Sequence, residues 1–212
     1  MKPPVIVVGA SGHAKVCIEL LQAIGETVLC CVGAGDDGAT CLGIPVLDGD
    51  HHLARLRDEG QSRAFVALGS NRLRARLGGY LRELGFELVN AISPHAVVSP
   101  SATLGSGIAI MAGAVVNADA TIGDLAIVNT GATVDHDCII GVAAHVAPQC
   151  ALAGNVSIGD GAFLGVGCKA VPWVEVGAQS TVGAGAVIIS AIPPRVTAVG
   201  VPARVLNKQP NK

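Results

Sequence analysis

The sequence predicts two folds in series: a small α/β domain of Rossmann-like type over residues 1–92 and a left-handed parallel β-helix over residues 93–212. Three observations lead to this prediction. A strand, glycine turn and helix open the chain, a six-residue repeat fills its second half, and the composition is unusual. Of 212 residues, 50% are hydrophobic but only 2% are aromatic, and 28 are glycine. An interior of small aliphatic residues beside many glycine turns is not typical of a compact globular domain.

The first ninety residues alternate between strand and helix patterns. A buried strand is predicted from Val5 to Val8, followed by a glycine turn at residues 9–13 and a helix that ends at Gly25. The later segments alternate in the same way and predict a βαβ domain with a parallel sheet. They are a strand at 27–32, a helix near 53–58, a strand at 64–68, a helix from about 71 to 84 and a strand at 86–91.

Two glycine turns follow strands of this predicted sheet, at residues 9–13 and 69–72. Ligands of parallel sheets bind beyond the carboxyl ends of the strands. Backbone amides at the start of the first helix would face an anion, and glycine lets a phosphate approach closely. The first turn lacks the full G-x-G-x-x-G spacing, and many turns of this kind bind nothing. On the residues alone, phosphate binding and a turn without a ligand therefore both stay open.

A repeat of six residues occupies the second half of the chain. A large aliphatic residue stands at every sixth position from Val98 to Ile188, and only Ala170 among these sixteen is small. Four residues after each one, a column of mostly small residues runs from Ala102 to Ala186. Neither a helix nor an alternating strand has this period, whereas a hexapeptide β-helix does. Three hexads would form each triangular coil, and the coils would stack about 4.7–4.9 Å apart.

Glycine follows the large aliphatic residue in seven hexads, and we predict that it supplies the positive φ that a tight corner needs. The seven glycines are Gly105, Gly123, Gly141, Gly159, Gly165, Gly177 and Gly183.

The terminal coils need caps, and we expect the tail from Ile192 to Lys212 to provide one. The seven cysteines follow no CxxC or secreted-scaffold spacing, which predicts free buried thiols.

Charge and hydropathy exclude several classes of function. The net charge of −2 and the isoelectric point of about 6.3 provide no basic face for nucleic acid. The apolar run near the N-terminus is too short for a signal peptide, and no stretch approaches the roughly 18 apolar residues of a membrane span. We therefore predict a cytoplasmic protein without a membrane span.

One histidine stands in a sequence context that suits catalysis. His136 lies on an outward side of the predicted coil, between Asp135 and Asp137. A neighbouring carboxylate can orient the ring and stabilise the imidazolium, so His136 is a candidate general base. Ala118 and Gly154 flank it one coil away on either side, which would leave room for a ligand. The alternative is an exposed surface histidine without a function.

A second histidine of the repeat, His145, raises the possibility of a metal site. The β-helical carbonic anhydrases hold zinc with three histidines between subunits. In this sequence no third histidine follows His145, and the close His-x4-His spacing of those enzymes is absent. We therefore predict no metal.

Five motifs carry a resemblance that covers essentially the whole chain. They are VVGASGHAKV at 7–16, ALGSNRLR at 67–74, PHAVVSPSATLG at 94–105, VNTGATVDHDC at 128–138 and GVPARVL at 200–206. With these motifs the sequence resembles the sugar O-acyltransferase family typified by sialic acid O-acetyltransferases. More closely, it resembles bacterial N-acetyltransferases that act on nucleotide-linked 4-amino sugars.

The resemblance implies a homotrimer in which acetyl-CoA lies between neighbouring β-helices and the N-terminal domain holds the nucleotide-linked amino sugar. It also implies roles for single residues. His136 would be the general base and Asp137 its orienting acid, Asn129 would position the thioester, and His145 would contact the cofactor near it. The rest of the cofactor path would comprise Gly154, Gly165, Val166, Gly183 and Ala184, whereas Ser11, Gly12 and His13 would approach the diphosphate, with Gly69 and Arg72 nearby.

The sequence departs from the family at the end of the second strand. Members commonly carry an acidic pair there that meets the nucleotide, whereas this chain reads Val-Gly-Ala-Gly at 32–35, with Asp36 and Asp37 following. The nucleotide, UDP or GDP, therefore stays open. Two other functions stay open as well: an O-acetyltransferase acting on sialic acid or another sugar hydroxyl, and a non-catalytic protein that binds sugar nucleotides.

Overall fold

The structure is a computed structural model that describes residues 2–36 and 38–206. Within these ranges three helices and 25 strands form a small α/β domain and a left-handed parallel β-helix. The predicted fold class is confirmed. None of the helices in the described ranges has the length and apolar character needed to span a membrane.

The N-terminal domain is one sheet with helices packed against it. The strands follow the order β3-β4-β2-β1-β5-β6 and pair in parallel, except for the antiparallel hairpin of β3 and β4. That hairpin is missing from the sequence prediction because Pro45 interrupts its apolar run, and proline is rare in paired strands. The elements are β1 Val5–Val8, α1 Gly12–Ala23, β2 Val28–Gly33, β3 Thr40–Cys41, β4 Ile44–Asp48, α2 His52–Asp58, β5 Arg63–Val66, α3 Asn71–Glu83 and β6 Glu87–Leu88.

The topology of this sheet brings two turns together. The chain runs from β1 outward through β2 and β4 on one side, and continues with β5 and β6 on the other side. The strand order therefore reverses between β1 and β5, and such a reversal opens a crevice at the carboxyl ends of the two strands. The turns at 9–13 and 67–70 border this crevice.

The β-helix consists of very short strands that stack into three sheets. Paired residues are 18 apart, as in Ala109 with Ile127 and Ile110 with Val128, so each coil contains three hexads. The strands are β7 Ala91–Ile92, β8 Val97–Val98, β9 Thr103–Leu104, β10 Ala109–Ile110, β11 Val115–Val116, β12 Thr121–Ile122, β13 Ile127–Val128, β14 Thr133–Val134, β15 Ile139–Ile140, β16 His145–Val146, β17 Ala151–Leu152, β18 Ser157–Ile158, β19 Phe163–Leu164, β20 Lys169–Ala170, β21 Glu175–Val176, β22 Thr181–Val182, β23 Val187–Ile188, β24 Thr197–Val199 and β25 Arg204–Val205.

Three sheets meet at three corners, for which we use fixed names. The first sheet runs from β7 through β10, β13, β16, β19 and β22 to β24 and β25, the second from β8 to β23, and the third from β9 to β21. The first corner leads from the first sheet to the second (129–132, 147–150, 165–168 and 183–186). The second corner leads to the third sheet (135–138 and 153–156). The third corner leads back to the first sheet (123–126, 141–144, 159–162 and 177–180).

The two inward columns fill the interior as predicted. From the second coil upward, the large aliphatic and the small residues form one buried cluster. Cys138, Cys150 and Cys168 lie in it, and the seven cysteines of the chain, all within the described ranges, are free and buried.

The reason predicted for the seven corner glycines is wrong. None of them has a positive φ; the positive φ instead recurs two residues later, at every sixth position from Gly107 to Gly185. The structure requires glycine at six of the seven because the backbone of the next coil passes too close for a Cβ. A Cβ on Gly141 would lie 2.6 Å from the nitrogen of Asp160, and one on Gly165 would lie 2.5 Å from that of Ala184.

The ends of the β-helix differ slightly from the prediction. The first strand, β7, already pairs with β10, so coil pairing begins at Ala91, just before the boundary predicted between residues 92 and 93. At the other end β24 and β25 form an antiparallel pair on top of β22. Residues 207–212 of the predicted cap lie outside the described residues.

The N-terminal domain packs against the first sheet and the third corner. Outward residues Ala91, Ala109 and Ile127 of the first sheet share a buried cluster with α1. Leu125 and Ala143 of the third corner share another with α3. This packing places both glycine turns of the N-terminal domain beside the β-helix.

Candidate active site

The second corner holds the histidine and the carboxylate predicted to be catalytic. His136 Nδ1 lies 2.7 Å from Asp137 Oδ2. Asp137 has a φ of 58°, a left-handed conformation that Asp adopts more readily than most residues. Asp135 fixes the loop, because its Oδ1 accepts hydrogen bonds of 2.8 Å from the His136 amide and from Asn117 Nδ2. The corner therefore presents a preorganised histidine–carboxylate pair.

The charges around His136 favour its protonated form. The hydrogen bond to Asp137 is the main cause that raises the pKa of His136, and the charges of Asp135 and Asp137 add to it while desolvation opposes it. Both side chains are about half exposed, at 53% for His136 and 52% for Asp137. With Nδ1 donating to Asp137, the neutral ring carries its lone pair on Nε2, which can accept a proton.

Gly154 makes room for the imidazole of His136. A Cβ on Gly154 would lie 2.5 Å from both Cε1 and Nε2 of this ring. The space expected for a ligand at this position is therefore filled by the ring of the candidate base itself. Gly154 supports the ring from the next coil.

His145 lies between the two domains. It is 7% exposed, its Nε2 is 3.0 Å from Asn129 Nδ2, and Phe163 packs edge-on with the ring centroids 5.2 Å apart. The ring centroid of His13, from the glycine turn, lies 6.4 Å away. Among the described residues, neither His145 Nδ1 nor His13 Nε2 has a hydrogen-bond partner.

Burial keeps both of these histidines neutral. Desolvation, followed by the charges of Arg74 and His13, lowers the pKa of His145 to about 4, although the Gly69 backbone acts in the opposite direction. Desolvation, followed by Arg74, also lowers the pKa of His13. His136 and His145 are thus shifted in opposite directions, as expected for groups with different roles.

A cavity of about 610 Å³ opens between the N-terminal domain and the third corner. It contains the predicted acceptor residues Gly69 and Arg72 at the start of α3. The other predicted acceptor residues, Ser11, Gly12 and His13, lie at the start of α1, where Ser11 makes no side-chain capping bond. The cavity is lined by residues 69–72 and Ala75, by Val142, Ala143, Asp160, Gly161 and Gln179 of the third corner, and by Phe163 and Thr181 of the first sheet.

One chain does not bring all the predicted residues together. The predicted cofactor residues Asn129, Gly165 and Gly183 form one column along the first corner, since they are multiples of 18 apart. Val166 and Ala184 lie beside this column and are exposed. His136, Asp137 and Gly154 occupy the second corner. The cavity adjoins the third corner. The predicted site is therefore divided among three corners of the β-helix.

The edge that lacks the acidic pair has a carboxylate from another strand. Asp48 ends β4, and its Oδ1 accepts a hydrogen bond of 3.3 Å from the Gly35 amide. Asp36 is exposed, and Asp37 lies outside the described residues. Asp48 was missed because β4 itself was not predicted. In the described ranges, no group of three or more His, Cys, Asp or Glu side chains is placed to hold a metal ion.

An α/β domain followed by a left-handed β-helix with an outward histidine–carboxylate pair defines the class of hexapeptide-repeat acyltransferases. Residues 4–81 match the model of the PglD N-terminal domain. PerB from Caulobacter crescentus, solved with CoA and GDP-perosamine, is 55% identical with a TM-score of 0.93, over 98% of this chain and 99% of that chain.

Two further solved structures show the same likeness. The acetyltransferase domain of PglB from Neisseria gonorrhoeae FA1090, in complex with acetyl-CoA, is 40% identical with a TM-score of 0.92, over 97% of this chain and 100% of that chain. WeeI from Acinetobacter baumannii AYE is 27% identical with a TM-score of 0.83, over 96% and 99% of the two chains. This chain belongs to the hexapeptide-repeat sugar acetyltransferases, in the group that contains perosamine N-acetyltransferase. The resemblance stated from the sequence motifs is confirmed.

Proposed function

We propose that this protein transfers the acetyl group of acetyl-CoA to the 4-amino group of a GDP-linked amino-deoxy sugar. The observation that carries the proposal is the 55% identity, over 98% of this chain, to an enzyme solved with CoA and GDP-perosamine. That likeness also favours GDP over UDP as the nucleotide. The cavity beside the Gly69–Arg72 turn, at the carboxyl end of the parallel sheet, is the candidate acceptor site.

The geometry of the second corner suits direct transfer. Neutral His136 accepts a proton at Nε2 as the amine attacks the thioester carbonyl, so that a C–N bond forms and the C–S bond breaks. The proton then passes to the departing CoA sulfur. Asp137 orients the ring and stabilises the imidazolium, and a backbone amide donates to the developing oxyanion. No covalent enzyme intermediate is needed.

The division of the site among corners supports a homotrimer. His136 lies on the second corner, whereas the cavity adjoins the third, so a neighbouring copy would bring its second corner to this cavity. Acetyl-CoA would lie between the two β-helices, along Asn129, His145, Gly165, Val166, Gly183 and Ala184, while Gly154 would support the ring of His136. Mixing His136→Ala with Arg72→Ala protein, followed by subunit exchange, should restore part of the activity. If mixing restores none, the site lies within one chain.

The compartment belongs to the same proposal. We place the enzyme in the cytoplasm, where acetyl-CoA and nucleotide sugars are available. The seven free, buried cysteines support a reducing compartment.

The decisive experiment is a thiol-release assay with acetyl-CoA and three acceptors: GDP-perosamine, a UDP-linked 4-amino-6-deoxy sugar and sialic acid. We expect turnover of GDP-perosamine, and a loss of about 10²–10⁴-fold in kcat for His136→Ala with little change in thermal stability. Turnover of sialic acid alone would instead establish an O-acetyltransferase. Binding of a sugar nucleotide without thiol release would establish a binding protein, and full activity of His136→Ala would refute its role as the base.

A further inference from the structure

Arg74 is a buried cation without an acidic partner. Its side chain is 1% exposed, and among the described residues no carboxylate lies within salt-bridge distance. Its Nε donates to the Leu125 carbonyl at 2.7 Å, while its Nη atoms donate to the carbonyls of Leu68 and Ala143, each at 2.8 Å. An uncompensated buried charge is expensive, and such groups concentrate at functional sites.

The hydrogen bonds of Arg74 fix the turn at residues 69–72, here called the acceptor turn, to the β-helix. Arg74 Nη2 donates to Asn71 Oδ1 at 2.8 Å, and Asn71 Nδ2 donates to the carbonyls of Gly161 and Ala162, each at 3.0 Å. Leu125, Ala143 and Gly161 are 18 residues apart and stand on successive coils of the third corner. The turn that lines the cavity is thus fixed to three coils through two side chains.

Arg74 also lies near His145, because its Nη2 donates to the carbonyl of the preceding residue, Ala144, at 3.4 Å. Asn129 Oδ1 accepts a hydrogen bond of 2.8 Å from the Thr130 amide, which turns its Nδ2 toward His145 Nε2. Because Nδ2 can only donate, Nε2 must accept, so His145 is neutral with its proton on Nδ1. A protonated His145 would place two donors against each other and displace the Asn129 amide.

The charged and titratable groups around His145 favour this neutral state. Arg74 approaches from α3 and His13 from the start of α1, and both lower the pKa of His145 in addition to its burial. Cys17 of α1 faces Arg74, and burial raises the pKa of its thiol to about 12, so it contributes no charge near neutral pH.

We propose that Arg74 is a positioning residue of the transfer site, which fixes the acceptor turn against the third corner and keeps His145 as the neutral acceptor that orients Asn129. The inference rests on the proposed function, since Asn129 and the acceptor turn matter only if they serve acetyl transfer. The protonation state of His145, on which the inference depends, can be measured without any substrate.

The test compares two variants of Arg74 with a matched control on the same helix. Arg74→Lys keeps the charge but has too few donors for the carbonyls, whereas Arg74→Met removes both. Arg82→Met is the control, because Arg82 also joins α3 to the β-helix, through Ser106 and Asp124, but in an exposed position. The readouts are kcat/KM for GDP-perosamine, thermal unfolding, and the pH titration of His145 followed by histidine nitrogen NMR of the full chain.

We expect His145 of the wild-type protein to be a neutral Nδ1–H tautomer at pH 5. Arg74→Lys should leave that titration unchanged and lower kcat/KM by about tenfold or more, since the acceptor turn shifts. In Arg74→Met the pKa of His145 should rise, so that the midpoint of its NMR titration moves to higher pH by about one unit. Arg82→Met should change unfolding alone.

Three results would overturn the proposal. They are a charged His145 in the wild-type protein at pH 6, an NMR titration of His145 that does not move in Arg74→Met, and Arg74 variants that change only the unfolding temperature, as Arg82→Met does. If Arg74→Met does not fold, the wild-type titration and Arg74→Lys still decide. If the protein acetylates no amino sugar, the proposed function fails while the NMR titration still reports on His145.

Discussion

Replacement of Gly154 by alanine should abolish most of the activity without unfolding the protein. The new Cβ would stand 2.5 Å from Cε1 and Nε2 of His136, and ordinary contact begins at 3.4 Å, so the ring must retreat by about 0.9 Å. A misplacement of about 1 Å in a catalytic group costs on the order of 10²-fold in rate. Gly154 lies outside the positive-φ region and the ring is half exposed, so alanine strains neither the backbone nor the core.

Steady-state kinetics and thermal unfolding together test this reasoning. We expect kcat to fall about 10²-fold, KM for acetyl-CoA to change little, and the unfolding temperature to stay near that of the wild type. Gly79→Ala in α3 is a suitable control, because its Cβ would meet nothing within 4 Å, and it should keep full activity. Full kcat in Gly154→Ala would show that the ring position over Gly154 is not the one used in transfer.

Two further predictions follow from the corners. In Asp137→Asn the hydrogen bond that raises the pKa of His136 is weakened. The pKa of His136 therefore falls and the acidic limb of kcat moves to lower pH, while kcat itself drops. An acidic limb that does not move would mean that Asp137 does not control the base. Gly141→Ala, whose Cβ would lie 2.6 Å from the backbone nitrogen of Asp160, should lower the free energy of unfolding by about 1–3 kcal/mol; unchanged stability in chemical denaturation would contradict the close-approach explanation.

The β-helix could be predicted because its determinants are local and periodic. Within the β-helix each coil contacts only the coils 18 residues before and after it, so two inward columns specify the whole stack. The role of the corner glycines was predicted wrongly for a related reason. Gly141 and Gly165 are required by the distance between coils, and a turn rule applied within one hexad does not contain that distance.

The candidate site also has a part that the sequence could predict and a part that it could not. His136 and Asp137 are neighbours in sequence, so their juxtaposition followed from the motif itself. The contact between Arg74 and Ala143 joins residues 69 apart in different domains, and no periodicity of the chain encodes it. The sequence marked Arg74 only as one letter of ALGSNRLR, and a charged residue in a helix is normally expected at the surface.

The 18-residue coil fixes which functional side chains can meet. Residues that differ by a multiple of 18, such as Asn129, Gly165 and Gly183, stand above one another on one corner, whereas His145 is half a coil away from His136. Removing one hexad between residues 147 and 164 would turn every later corner by one face and separate Gly165 from Asn129. Removing a whole coil would keep the corners aligned and shorten the stack by about 4.8 Å. The period therefore sets the direction of each side chain as well as the packing of the core, and it keeps His136 on a different corner from the cavity.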